Sequence, residues 1–361
     1  MRLEADIKEK LRLSIKRTVT MRASDKAILS TLARDDFLVQ YPAMSKFLRL
    51  FFMLPLSLWA ASTTEVSPQE AQAGFTTSRV LVTGTVEGFT EFLPISSTGH
   101  MIISDRLMKV PDDENVIVKG VVDHKGRPVT MERVADDYLV IIQVGAIAAV
   151  LLVFWSRIWN ILRGLCAGNP AAWRLAGALF IAFFPAAFLG LLFKEKISEL
   201  LFSPEVVGIA LIAGGLVIFI AEEKLPGPPA SGDEVSKISY RQAFIVGICQ
   251  CCALIPGTSR SLSTILGGRL AGLSNAAATE FSFLVGLIIL TGASVYKMWS
   301  LGPALTKVYP VGPAALGLLV AGITALIAVR WMVGFVSQRG LKAFAWYRIA
   351  VGAAILVYFN L

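Results

Sequence analysis

Apolar residues gather along this chain in six long runs, at roughly residues 138–155, 175–193, 205–221, 277–297, 313–335 and 343–361. A helix rising 1.5 Å per residue needs about 20 such residues to cross a hydrocarbon core, so each run predicts a transmembrane helix. Two further apolar segments, about 79–108 and 240–270, are interrupted. The first carries Pro94-Ile95-Ser96-Ser97-Thr98-Gly99-His100 in its middle, and the second carries Pro256-Gly257-Thr258-Ser259-Arg260-Ser261. Backbone broken in this way survives at membrane depth only inside protein or beside a wet cavity. Each segment therefore predicts a re-entrant helix pair, and the tips of the two pairs should meet.

The two interrupted segments read as copies. Superposing Pro94 on Pro256 sets Ser97 opposite Ser259, Thr98 opposite Arg260, and Cys249 and Ala253 opposite Glu87 and Glu91. The span that follows carries Gln143 in one half and opens near Glu280 in the other. The expected fold is an all-α polytopic membrane protein, with about six transmembrane helices plus two re-entrant pairs in an inverted-topology repeat. Its halves run from about 78 to 221 and from about 240 to 361, with the site where they meet.

Ahead of this domain, residues 1–43 form a mixed-charge extension with no sustained apolar face. Residues 44–62 read as a signal peptide or signal-anchor: Lys46 precedes the apolar run Phe47–Ala61, and Ala60-Ala61-Ser62 supplies the small residues of a cleavage site. Residues 63–77 are expected to be a linker, and the membrane domain spans 78–361. Charge orients the spans. The acidic 109–137 loop falls outside, while Arg157, Arg163, Arg174, Arg330, Arg339 and Lys342 fall inside. The 222–241 loop, with Glu222, Glu223, Asp233 and Glu234, gives no such support.

Composition agrees with this reading. Of 361 residues 55% are hydrophobic and 17% charged, below the ~25% of soluble domains. The excess of 34 Lys and Arg over 26 Asp and Glu lies largely in the first 44 residues and in short loops, as topology signals do, which argues against nucleic-acid binding. Cys166, Cys249, Cys251 and Cys252 lack metal-ligand spacing and read as small packing residues. His124, in the acidic loop, reads as a solvated residue, and Tyr347-Arg348 as an interfacial anchor.

The chemistry concentrates in the interrupted segments. Thr83, Glu87, Thr90 and Glu91 fall on one helical stripe. A charge at membrane depth costs about 2.5–3.5 kcal/mol even on the lenient scale, and two carboxylates at i and i+4 repel. A divalent cation, magnesium or calcium, would relieve both penalties, and its ligands would be Glu87 and Glu91. Ser96, Ser97 and Thr98 sit where a second helix would begin, and the free N–H groups there bind anions. Ser97 can attack phosphorus and His100 can move a proton. The plain alternative is a capped turn. Thr258, Ser259, Arg260 and Ser261 supply phosphate ligands from the other segment, since a guanidinium matches phosphate oxygens. For Arg260 the alternatives are snorkelling to the surface or pairing with Glu280.

Glu87-Gly88-Phe89-Thr90-Glu91-Phe92-Leu93-Pro94-Ile95-Ser96-Ser97-Thr98-Gly99-His100 and Pro256-Gly257-Thr258-Ser259-Arg260-Ser261 resemble the two signature motifs of the bacterial undecaprenyl-diphosphate phosphatases, the bacitracin-resistance family. The likeness runs from about residue 78 to the C-terminus and includes Tyr240-Arg241-Gln242-Ala243-Phe244 and Glu280-Phe281-Ser282-Phe283-Leu284. It implies a hydrolase of the bacterial inner membrane, opening to the periplasm. Such an enzyme converts undecaprenyl diphosphate to the monophosphate and inorganic phosphate, which recycles the carrier for peptidoglycan synthesis and confers bacitracin resistance. In the family's terms Glu87 and Glu91 resemble the metal-linked carboxylates, Ser97 the nucleophile, His100 the acid/base, and Ser259 with Arg260 the diphosphate clamp. The implied partners are the polyprenyl diphosphate lipid and the surrounding bilayer, and a homodimer is compatible with them. A transporter or flippase of polyprenyl phosphate lipid is the alternative. Leu262 and Ser263 depart from the Gly-Ala that often follows the second motif.

Overall fold

The computed structural model describes residues 64–361 apart from 112, 114, 202, 226–233, 303 and 361. The extension and signal segment expected over 1–62 lie outside the described residues. Thirteen helices of the described part are numbered here in chain order. Helix α1 is Pro68–Ala73, α2 Thr77–Thr90, α3 Ser97–Leu107, α4 Met131–Val153, α5 Trp155–Cys166, α6 Pro170–Leu201 and α7 Pro204–Lys224. After a short 3-10 turn come α8 Tyr240–Gln250, α9 Arg260–Leu270, α10 Asn275–Leu301, α11 Ala304–Val308, α12 Val311–Arg339 and α13 Lys342–Asn360.

Six of these, α4, α6, α7, α10, α12 and α13, contain stretches long and apolar enough to cross a membrane, and they coincide with the six expected runs. The protein is an all-α, multi-pass membrane protein. The interrupted segments form two helix hairpins, α2–α3 and α8–α9. Thr76 caps α2 by accepting from Arg79 N, and Ser239 caps α8 within a capping box closed by Gln242.

Packing exchanges the halves. Helix α2 of the first half lies on α12 of the second, as α8 of the second lies on α6 of the first. Helix α4 lies on α12 as α10 lies on α6, while α4 with α10 and α7 with α13 are mutual partners. The contact pattern is therefore that of two equivalent halves, each completed by the other. The core is continuous through them: Phe92, Phe283, Ala178, Val246, Ile265 and Val329 belong to one buried cluster.

The structure corrects the register of the repeat by one residue. The equivalent residues are the N-caps Ser96 of α3 and Ser259 of α9, which places Ser97 opposite Arg260, Glu87 opposite Gln250 and Glu91 opposite Leu254. Proline alignment misleads here because a helix start is set by its cap and the backbone turn into it, and proline fixes only its own φ.

Residues read as a linker and as an outer loop are folded together. Strand β1 (Thr64–Val66) pairs in parallel with β2 (Val116–Val122), which pairs antiparallel with β3 (Pro128–Thr130). This small sheet packs with Phe75, Val134, Tyr138 and Tyr309 over one end of the bundle. On the expected cytoplasmic side, α5 buries no residue and carries stacked Trp155 and Trp159, with Arg163 over the Trp159 ring.

Candidate functional site

The two hairpin tips meet, and a cavity of about 200 Å³ lies between them. Its walls include Glu91, Ser96, Ser97 and Thr98 from the first hairpin, Gly257, Ser259 and Arg260 from the second, and Gln143 from α4. Both tips end on a strained serine. Ser96 has φ 71° and Ser259 φ 77°, values that residues other than glycine seldom adopt, and each serine hydroxyl accepts the N–H three residues on. Such strain costs about 1–3 kcal/mol per residue and persists where surrounding structure enforces it. Its consequence is that α3 and α9 both begin at the cavity, so their first N–H groups, which have no partner within a helix, bring two positive dipole ends to one place.

Side chains then complete the site. Ser97 Oγ donates to Glu91 Oε2 at 2.6 Å, and Arg260 Nη2 donates to Glu91 Oε1 at 3.3 Å. A single carboxylate from the first hairpin thus holds its own hydroxyl and the guanidinium of the second. Arg260 is 11% exposed, lies over the Phe92 ring at 5.0 Å and donates to the Ser282 carbonyl. It passes so close to Gly286 that a Cβ there would collide with the guanidinium. The tips are also cross-braced: Ser259 Oγ donates to the Leu93 carbonyl and Ser261 Oγ to the Glu91 carbonyl, both at 3.4 Å. Gly257, at φ 91°, packs so closely on the Val207 backbone that a side chain would not fit.

A family-level comparison decides what this arrangement belongs to. Residues 80–354 match the model of the bacitracin resistance protein BacA. The chain belongs to the BacA family. Its relatives include an undecaprenyl-diphosphatase of Acinetobacter baumannii, 40% identical over 80% of this chain and 98% of the relative. Undecaprenyl-diphosphatase 2 of Rhodospirillum rubrum is 41% identical over 77% of this chain and 93% of its own length. Undecaprenyl-diphosphatase 1 of Acinetobacter baylyi is 37% identical over 78% and 94%.

Other expected site residues of this BacA-family chain take different places. Glu87 is buried one turn before Glu91, outside the cavity lining. Thr258 and Ser261 are also not part of the lining, and Ser261 serves as a brace. His100 is engaged elsewhere. Its Nδ1 donates to the Ser96 carbonyl at 2.7 Å, which leaves Nε2 to accept from the Tyr347 hydroxyl at 2.8 Å in the neutral ring. The Tyr347 ring stacks on it. Glu280 pairs with Arg157 at 2.8 Å, and Arg260 with Glu91, so the suggested Glu280–Arg260 pair does not form.

Arg348 corrects a reading. It is no interfacial anchor but fully buried, and its guanidinium donates to the Pro94 carbonyl at 3.0 Å, the Gly257 carbonyl at 2.9 Å and the Ala210 carbonyl at 3.1 Å. One side chain thus ties both tips to α7. The signal was available, because an arginine inside a spanning segment is rare enough to expect a buried partner.

For a cation, the carboxylates to consider are Glu91 in the cavity lining and Glu87 one helical turn before it. No group of three or more His, Cys, Asp or Glu that could hold a metal occurs among the described residues. A two-carboxylate set does not make the six-to-eight-oxygen cage of a calcium site. It does suit magnesium, which commonly binds through one or two carboxylates and completes its shell with water and substrate phosphate.

Proposed function

We propose that this chain hydrolyses undecaprenyl diphosphate to undecaprenyl phosphate and inorganic phosphate, in the bacterial inner membrane, with the cavity reached from the periplasm. The observation that carries this is the convergence of Ser97, Glu91 and Arg260 at two helix N-termini inside a membrane protein of this family. The lipid tail stays in the bilayer. The diphosphate enters between the tips, where the helix N–H groups and Arg260 stabilise charge on the transferring phosphoryl group. Arg260 then exchanges part of its hold on Glu91 for phosphate oxygens.

The short Ser97–Glu91 contact supports Ser97 as the attacking group. Its hydroxyl proton goes to Glu91, its oxygen bonds to the terminal phosphorus, and the undecaprenyl phosphate leaves with the bridging oxygen. Water then attacks the phosphoserine, the bond from Ser97 Oγ to phosphorus breaks, Glu91 returns its proton to Oγ, and inorganic phosphate departs. Glu87 and Glu91 would hold a magnesium ion, which neutralises diphosphate charge when bound. His100, braced by Tyr347, holds the Ser96 carbonyl and so the turn into α3.

Periplasmic access is supported by charge: the sheet precedes the span α4, and Arg157, Arg163 and Arg174 follow it in a stretch without acidic residues, as a cytoplasmic loop would. Phosphate release from undecaprenyl diphosphate by the purified protein, with magnesium or with chelator, tests the reading. The expectation is metal-dependent release that vanishes in Glu91→Ala. A folded wild type releasing no phosphate under any metal would favour a lipid carrier instead.

A further inference from the structure

A second cavity, of about 320 Å³, opens where the small sheet meets the ends of α4 and α10. Its lining is Arg127, Pro128, Thr130, Arg133, Lys297 and Ser300: three cations, two hydroxyls and no carboxylate. The carboxylates that hold these cations stand behind them. Asp123 and Asp137 have fully buried side chains. Asp123 accepts from Arg127 Nε at 2.9 Å and from Arg133 Nη1 at 2.8 Å. Asp137 accepts from Arg133 Nε at 3.2 Å and pairs with Lys297. Three cations are thus fixed by two carboxylates set behind the cavity wall. A cavity many times the ~30 Å³ share of one water, walled in this way, suits a polyatomic anion.

Its position gives the anion a role. Helices α4 and α10 line both cavities: Arg133 lies roughly ten residues, about 15 Å, before Gln143 on α4, and Lys297 about 10 Å beyond Leu290 on α10. Between Leu290 and Lys297, Ser294 is buried with no hydrogen-bond partner for its hydroxyl.

We propose that the cavity bounded by Arg127, Arg133 and Lys297 is a second phosphate-binding site, which docks a phosphate or diphosphate group on its way to or from the central cavity. The choice of phosphate rests on the phosphatase reading, and the cationic lining does not. The group is either the headgroup of the diphosphate lipid or the released inorganic phosphate.

The test uses the full chain in nanodiscs of zwitterionic lipid, carrying Arg260→Ala to weaken the central site. Inorganic phosphate is titrated calorimetrically, and a polyprenyl diphosphate is presented separately in the nanodisc bilayer. At least one probe is expected to bind, with affinity falling tenfold or more in Lys297→Gln and staying within threefold in Lys297→Arg. Arg127→Gln, whose side chain is 60% exposed, guards against a folding effect and should weaken binding severalfold with an unchanged thermal transition. Binding of inorganic phosphate identifies the product as the ligand, and binding of the lipid alone identifies the substrate. Failure of both probes to bind a protein with a wild-type-like thermal transition overturns the proposal, as does binding indifferent to Lys297→Gln and Arg127→Gln. Since binding is read without turnover, binding here by the Arg260→Ala chain together with no phosphate release from the wild type would sink the phosphatase reading alone.

Discussion

The first hairpin tip, from Glu91 to Ser96, and the second, from Leu254 to Ser259, differ on the way in, where Pro94 stands opposite Gly257 at φ 91°, and end alike. Each delivers a serine N-cap at positive φ and an eleven-residue helix that starts at the cavity. Their side chains diverge. Where the first places Ser97 at the opening position of its helix, the second places Arg260, and Glu91 in the first faces Leu254 in the second. The shared serine cap and helix start make an anion cradle from two directions. The divergence gives that cradle one proton acceptor, one hydroxyl and one fixed cation, held together by Glu91. Neither hairpin holds this set alone, so the halves specialised while keeping the strained turn that both need.

Exchanging a member of the unequal set should cost most. Arg260→Lys keeps the charge but loses the planar fork, and Glu91→Gln keeps the shape but loses the proton acceptor. Each should lower kcat/KM for phosphate release by about 10²–10³-fold, in the range seen when a preorganised charge-stabilising group is removed.

Arg348→Met attacks what the tips have in common. It leaves the Pro94, Gly257 and Ala210 carbonyls short of a donor, at about 1–3 kcal/mol for each that stays unsatisfied. Both a lower thermal transition and a loss of activity are expected. A wild-type transition in that variant would mean that the tips do not depend on the tie.

Gly286→Ala separates function from stability. The new methyl displaces the far end of Arg260, a flexible side chain, so activity should fall about tenfold, or ~1.4 kcal/mol, with little change in unfolding. Smaller again are the caps. Ser96→Ala and Ser259→Ala should each cost about 1 kcal/mol of stability, and the matching Gly variants less, because glycine tolerates the positive φ.

The last prediction concerns acid, and the pH window it occupies is the narrowest. Asp123 lies in the turn between β2 and β3, in the sheet region that covers the bundle. Burial acts to raise its pKa, but hydrogen bonds from Arg133, Arg127 and the Lys125 backbone outweigh that and hold it well below the usual carboxylate range. A carboxyl depressed in the fold contributes its full stability above the unfolded value of ~3.9 and loses it as pH falls towards the folded value. Asp123→Asn should therefore erase a stability slope confined to pH below about 4, measurable by thermal unfolding.

Much of the fold could be read from apolar run length, because a bilayer imposes length and hydrogen-bond closure on every span. The two interruptions announced themselves for the same reason, and with them Glu91, Ser97 and Arg260. What escaped was set by tertiary contact. Glu91 and Arg260 stand far apart in sequence, and nothing local says that they pair. Arg348 looked interfacial because its neighbour Tyr347 suits that role, while its three carbonyl partners come from distant segments. The strand Val116–Val122 was hidden in a loop read for its charge, and its partner Thr64–Val66 lies some fifty residues earlier.

The central claim is that one carboxylate of the first hairpin and one guanidinium of the second act as a single unit. A double-mutant cycle of Glu91→Gln and Arg260→Lys, read as kcat/KM for phosphate release from undecaprenyl diphosphate, tests it most directly. Groups that act together lose their effect once, so the double variant should be no slower than the slower single variant. Losses that multiply in the double variant would contradict the account, placing the two residues in separate steps or separate sites.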